Sequence, residues 1–81
     1  MDRTGWKQQI EEAKSNSQPL KITFFYPHLL KIKFHRGRII KVSDDCFTID
    51  DVRNGPMSFS YDFISEIAPW DYAMAKEELN Q

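Results

Sequence analysis

The stretch Leu20-Lys21-Ile22-Thr23-Phe24-Phe25-Tyr26-Pro27-His28-Leu29-Leu30-Lys31-Ile32-Lys33-Phe34-His35 decides the fold. Its period is two. Ile22, Phe24 and Tyr26 fall on one side of an extended chain, with Lys21, Thr23 and Phe25 on the other. Pro27-His28 makes a turn, because proline fixes φ and offers no ladder donor. Leu30, Ile32 and Phe34 then alternate with Lys31, Lys33 and His35, which predicts a half-buried strand with Ile32 and Phe34 in the core.

Outward from this pair the punctuation is regular. Arg36-Gly37 permits a kink, after which Ile40 and Val42 share one side of a resumed strand. Asp44-Asp45 and Asn54-Gly55-Pro56 are turns. Between and after them, Phe47 and Ile49, then Met57, Phe59 and Tyr61, alternate with polar residues. A single turn at Asp62-Phe63 precedes Ile64 and Ile67. Before the strands, Trp6, Ile10 and Ala13 recur at helical spacing over residues 4–15, with Thr4 or Asp2 as N-cap and Pro19 barring continuation. After Pro69, Tyr72, Ala75 and Leu79 line one side of a short helix over about 71–79. The expected architecture is mostly β (α+β): one domain over residues 1–81, with an N-terminal helix, a strongly bent five-stranded small barrel over about 20–68, and a short C-terminal helix.

At 81 residues there is room for one core. No run is long and apolar enough for a membrane helix, and no leader pattern opens the chain, so a membrane partner is not expected. The lone Cys46 fits a reducing, cytoplasmic setting. Net charge is −1, but it is segregated. Residues 13–43 hold seven Lys and Arg and no acid, whereas residues 44–81 hold nine acids against two bases. Pairing of opposite charges across neighbouring strands is the simpler reading. A basic face for phosphate is the alternative, and it implicates Lys31, Lys33, Arg36, Arg38 and Lys41 as nucleic-acid-binding candidates.

The residues for catalysis do not converge. Gly5, Gly37 and Gly55 are isolated, so there is no phosphate loop. Cys46 lies beside Asp44 and Asp45, which disfavour a thiolate, and it reads as a small buried apolar side chain. His28 and His35 lack partners at zinc spacing, and Asp44, Asp45, Asp50 and Asp51 lack the alternating pattern of a calcium loop. These carboxylates read as solvated turn ends. No catalytic residue, metal or cofactor is therefore expected, and the chain reads as a non-enzyme. Phe25, sharing its side with Lys21 and Thr23, either lies under the helix against Trp6 and Ile10 or offers a stacking face. Phe25, Trp70 and Tyr72 are candidates for a partner interface, large aromatics being the usual anchors.

Several segments together resemble the YolD-like family. Gln18-Pro19-Leu20-Lys21-Ile22-Thr23-Phe24-Phe25 resembles its "KPVKITYY" stretch, and Gly37-Arg38-Ile39-Ile40-Lys41-Val42 is similar to its "GRI" strand. Ile49-Asp50-Asp51, Gly55 and Asp62-Phe63-Ile64-Ser65-Glu66-Ile67 resemble its closing segment. The likeness runs over roughly residues 9–68. It implies a small Sm-like (SH3-like) barrel and an accessory role in the response to DNA damage, alongside Y-family DNA polymerases. The expected function is thus a non-catalytic module for protein–protein interaction, with a DNA-repair polymerase or a second copy as partner. Binding of RNA or single-stranded DNA is the alternative. The base-reading residues of RNA-binding Sm rings have no counterpart, since Ser60-Tyr61-Asp62 stands where an Arg-Gly pair is required.

Overall fold

The computed structural model describes residues 2–73. Helix α1 (Arg3–Ser15) leads into β1 (Leu20–Tyr26), β2 (Lys31–Val42), β3 (Cys46–Asp51) and β4 (Gly55–Ser60), and a 3-10 turn (Tyr61–Phe63) precedes β5 (Ile64–Pro69). All pairings are antiparallel, in the order β4-β3-β2-β1-β5. The chain is mostly β, as its alternation requires. The C-terminal helix expected over 71–79 lies, beyond Ala73, outside the described residues.

The sheet does not close into a barrel. β4 and β5 remain its two edges, because the 3-10 turn carries the chain across the gap between them. Aromatic rings bridge the open side instead. Phe24 on β1 meets Phe59 on β4 with ring centroids 4.6 Å apart, and Tyr26 meets Phe63 at 5.1 Å. Strong curling brings those strands together. A bulge between Ile39 and Lys41, another beside Thr23/Phe24, and the backbone at Gly37 supply it. A Cβ at Gly37 would stand 1.9 Å from the Asp50 carbonyl oxygen, so only glycine permits this approach of β2 to β3.

The concave side is the core. It collects Leu20, Ile22 and Phe24 from β1, Ile39 from β2, Phe47 and Ile49 from β3, and Tyr61 and Ile64. Helix α1 covers it with Ile10 and Ala13, while Trp6 packs against its margin. Asp2 caps the helix, its carboxylate accepting from Gly5 N at 2.9 Å. The helix is also tied by charge. Arg3 forks onto Asp62 at 2.7 and 2.8 Å and reaches Asp45 at 3.0 Å, and Lys7 meets Asp44 at 3.0 Å. The hydrogen bonds from Arg3 hold the Asp62 carboxyl below its ordinary range. These exposed pairs orient the helix more than they stabilise it.

Asp44, Asp45 and Asp62 are therefore answered from α1, and Asp51 from His35 and Arg36 N on β2. Among the described residues, no ion pair engages Lys31, Lys33, Arg38 or Lys41. Pairing across neighbouring strands, the simpler expectation from the charge pattern, is met between β2 and β3 by the His35–Asp51 contact and not at these four bases.

The expectation for β2 is inverted. Ile32 and Phe34 face water, 60% and 49% exposed, while His35 is buried with Ile39. The hairpin fixes this. Each β1–β2 pair joins an even-numbered residue to an odd-numbered one, from Leu20↔Gly37 to Tyr26↔Lys31. Directly opposed residues share a side of the sheet, so burying Leu20, Ile22 and Phe24 forces His35 and Gly37 inward. The four-residue connection 27–30 sets that parity. Leu30 belongs to the turn, not to the strand.

Candidate interaction surface

The convex side of β1 and β2 carries what this parity leaves outside. Phe25 stands opposite Ile32, Thr23 opposite Phe34, and Lys21 opposite Arg36. Phe25 is exposed. It lies on the side away from α1, which settles the choice between helix cover and open face. Phe34 is flanked by two cations, with Lys21 Nζ 5.1 Å and Arg36 Cζ 6.0 Å from its ring centroid. Such placement over a ring face is mutually favourable and holds the ring upright.

Apolar exposure continues to the hairpin tip. Leu29 and Leu30 both project, Leu30 at 84%, and Leu30 sits at φ 50°, a conformation costly for a branched side chain. The turn closes through Leu29 N to the Tyr26 carbonyl at 3.1 Å and Leu30 N to the Pro27 carbonyl at 3.2 Å. Leu30, held in water at a strained turn position, does nothing for the core. Phe25, Ile32 and Phe34, with Leu30 at the tip, are exposed large apolar side chains grouped on one hairpin.

The basic candidates divide between the two sides. Arg36 and Arg38 lie on the convex side, Arg38 with its guanidinium carbon 5.4 Å from the Tyr72 ring. Lys41 lies opposite Thr48, past the bulge. Lys31 and Lys33 share the other side with His35, so the five do not form one stripe. Tyr72 is exposed, its ring edge-on to Trp70 at 5.1 Å. Trp70 folds back, 2% exposed, with its amide donating to the Pro19 carbonyl at 3.0 Å and its carbonyl accepting from Gln18 Nε2 at 2.9 Å. It is a packing residue and does not project as a partner anchor. A depression of about 410 Å³ between β1, β2 and β5 is lined by Lys21, Thr23, Ile32, Phe34, Glu66 and Trp70, among others. Sequence reasoning placed Ile32 and Phe34 in the core; the length of the 27–30 turn is the signal that puts them on the surface beside Lys21.

Two further corrections concern Asp51, read as solvated, and Cys46. Asp51 is buried and joined to buried His35, Nδ1 to Oδ1 at 3.2 Å. Burial opposes its charge, but donation from Arg53 N, Asn54 N, His35 and Arg36 N outweighs that and holds the carboxyl below its ordinary range. Cys46, expected to be a small buried residue, is exposed. Asp44 and Asp62, the carboxylates an enzyme reading would set beside His35, are engaged by Lys7 and Arg3 instead. Among the described residues, no group of three or more His, Cys, Asp or Glu is placed to hold a metal ion, and no helix is long and apolar enough to cross a membrane.

No family model matches the chain, and no curated protein matches it. Among solved structures it is similar to proteasome accessory factor B/C (PafBC) of Arthrobacter aurescens, with a TM-score of 0.66 at 14% identity. The likeness covers 83% of this chain and 11% of that one, so the shared element is a small part of the larger protein. At this identity the comparison speaks to fold alone.

Proposed function

We propose that the chain is a non-catalytic interaction module whose partner is a protein seated on the convex β1–β2 face. One observation carries this reading: Phe25, Ile32 and Phe34, with Leu30 exposed at the hairpin tip, form an exposed apolar surface that the fold does not need. Lys21, Arg36 and Arg38 lie beside it, with Glu66 opposite Thr23 and Asp50 opposite Arg38 on the flanking strands. The matching occupant has an apolar centre and an acidic rim. Resemblance to the YolD-like family supports an Sm-like ancestry for the curled sheet and a cytoplasmic, DNA-maintenance setting, with a repair polymerase or a second copy as partner.

The second reading keeps the same face but makes the occupant single-stranded nucleic acid, with Phe25 and Phe34 stacking on bases and Arg36 and Arg38 meeting phosphate. The aromatic–cation alternation favours it; the net charge of −1 weighs against it. Affinity capture from source cells separates the two. A protein retained by the native chain, lost with Ile32→Glu and Phe34→Glu, and unaffected by nuclease supports the first. Capture that survives both substitutions overturns the choice of face, and capture abolished by nuclease overturns the choice of partner.

A further inference from the structure

Lys33 and His35 point to the opposite side of β2 from the convex face, because residues two apart on a strand share a side. With Tyr26, Leu29, Asn54, Met57 and Phe59 they line a cleft of about 390 Å³ on the concave side. That is the size of site a molecule of one or two rings fills, and it is far too small for a folded partner. Its walls are flat and apolar: Phe59 and Met57 on β4, and Tyr26 at the end of β1.

The His35–Asp51 pair stands beside this cleft, Asp51 also bracing the turn that follows β3. A buried ion-paired or hydrogen-bonded couple of this kind is generally no more stabilising than apolar residues of equal volume. Here it is nevertheless built with care. Asp51 accepts from His35, from three backbone amides and from Asn54 Nδ2. The imidazole is packed between Phe24, edge-on at 5.6 Å, and Phe59 at 4.6 Å. Its Nδ1 being engaged with Asp51, the ring is held in one orientation beside the cleft. Lys33 supplies a cation that no acid among the described residues answers. The Tyr26 hydroxyl makes no hydrogen bond with a described residue, and burial raises its pKa, so it stays a donor at neutral pH. Uncommitted donors around flat apolar walls fit one class of ligand.

We propose that this cleft is a binding site for a small planar ring bearing an anionic group, the ring lying against Phe59 and Met57 and the anion meeting Lys33 and Tyr26. The site is independent of the convex face, so either can fail while the other stands. Amide and methyl NMR titration of the intact chain tests it, with benzoate and phenyl phosphate as anionic probes and benzamide as the neutral isostere. Millimolar benzoate or phenyl phosphate is expected to shift Lys33, His35, Asn54, Met57 and Phe59 saturably, and the tighter of the two identifies the anion. Benzamide is expected to bind about tenfold more weakly, and Lys33→Ala, at an exposed position that leaves the spectrum folded, to remove that preference. Phe59→Leu, which keeps the site apolar but removes the flat wall, is expected to weaken both anions. Benzamide binding as tightly as benzoate, an unchanged preference in Lys33→Ala, or no saturable shift at these residues overturns the proposal.

Discussion

Replacing Ile22 and Ile32 by alanine, one at a time, isolates the consequence of the hairpin parity. The two side chains are identical and occupy neighbouring strands, yet Ile22 is fully buried and Ile32 is 60% exposed. Truncating Ile22 removes three buried carbons, worth about 2.4 kcal/mol by transfer. The cavity it leaves beneath α1 raises the cost to about 3–5 kcal/mol. Ile32 retains less than half of its surface in contact with protein, so the same truncation costs about 1 kcal/mol at most and leaves no cavity. Equilibrium urea denaturation monitored by tryptophan fluorescence reads both, and thermal midpoints should fall by about 4–8 °C per kcal/mol for a domain of this size. Should Ile22→Ala prove too unstable to purify, Ile22→Val and Ile32→Val repeat the comparison at about 1 kcal/mol against a few tenths. Equal losses at the two positions, or a larger loss at Ile32, would refute the assignment of faces.

Other perturbations have equally definite signs. Gly37→Ala places a Cβ on the Asp50 backbone and should cost about 3 kcal/mol or prevent folding, while Gly55→Ala meets nothing within 4 Å and should cost only about 1 kcal/mol for its positive φ, both by denaturation. Tyr61→Phe removes the hydroxyl that donates to the Ser43 carbonyl at 2.7 Å and lies 3.1 Å from that of Cys46, and should lower stability by about 1 kcal/mol. Asp51 has a carboxyl pKa lowered by folding, so its contribution is present at neutral pH and is lost as pH falls below the ordinary carboxylate range through the folded value. Asp51→Asn should flatten that part of the stability–pH curve measured by thermal melts. In low-salt gel shifts with single-stranded DNA, the protein-partner reading expects no complex at micromolar chain, whereas a complex that weakens steeply with salt would support the nucleic-acid reading.

The sequence carried the period of each strand more securely than its side. Leu20 to Tyr26, Phe47 to Ile49, the helix ending before Pro19 and the turn at Asp62-Phe63 were all readable, because alternation and breakers are local. The face of β2 was not, since Ile32 and Phe34 look like core residues until the connection is counted as four residues and Leu30 is placed in the turn. The bulge after Ile39 then returns Val42 to the inner side, so no single parity describes β2. His35 and Asp51 were invisible as a pair for a related reason. They are brought together only by the β2–β3 register, and local polarity assigns both to water. Closure into a barrel was expected from strand number and length, yet it depends on how β4 and β5 meet, which the 3-10 turn decides.

The central claim is that the convex β1–β2 face receives a partner. Its most direct test is NMR of the labelled chain with the captured partner, unlabelled, added to saturation. The account predicts broadening or shifts concentrated at Phe25, Leu30, Ile32 and Phe34, with Lys7, Glu11 and Asn16 on the helix side unmoved. A footprint centred on α1, with the convex face unchanged, would contradict it.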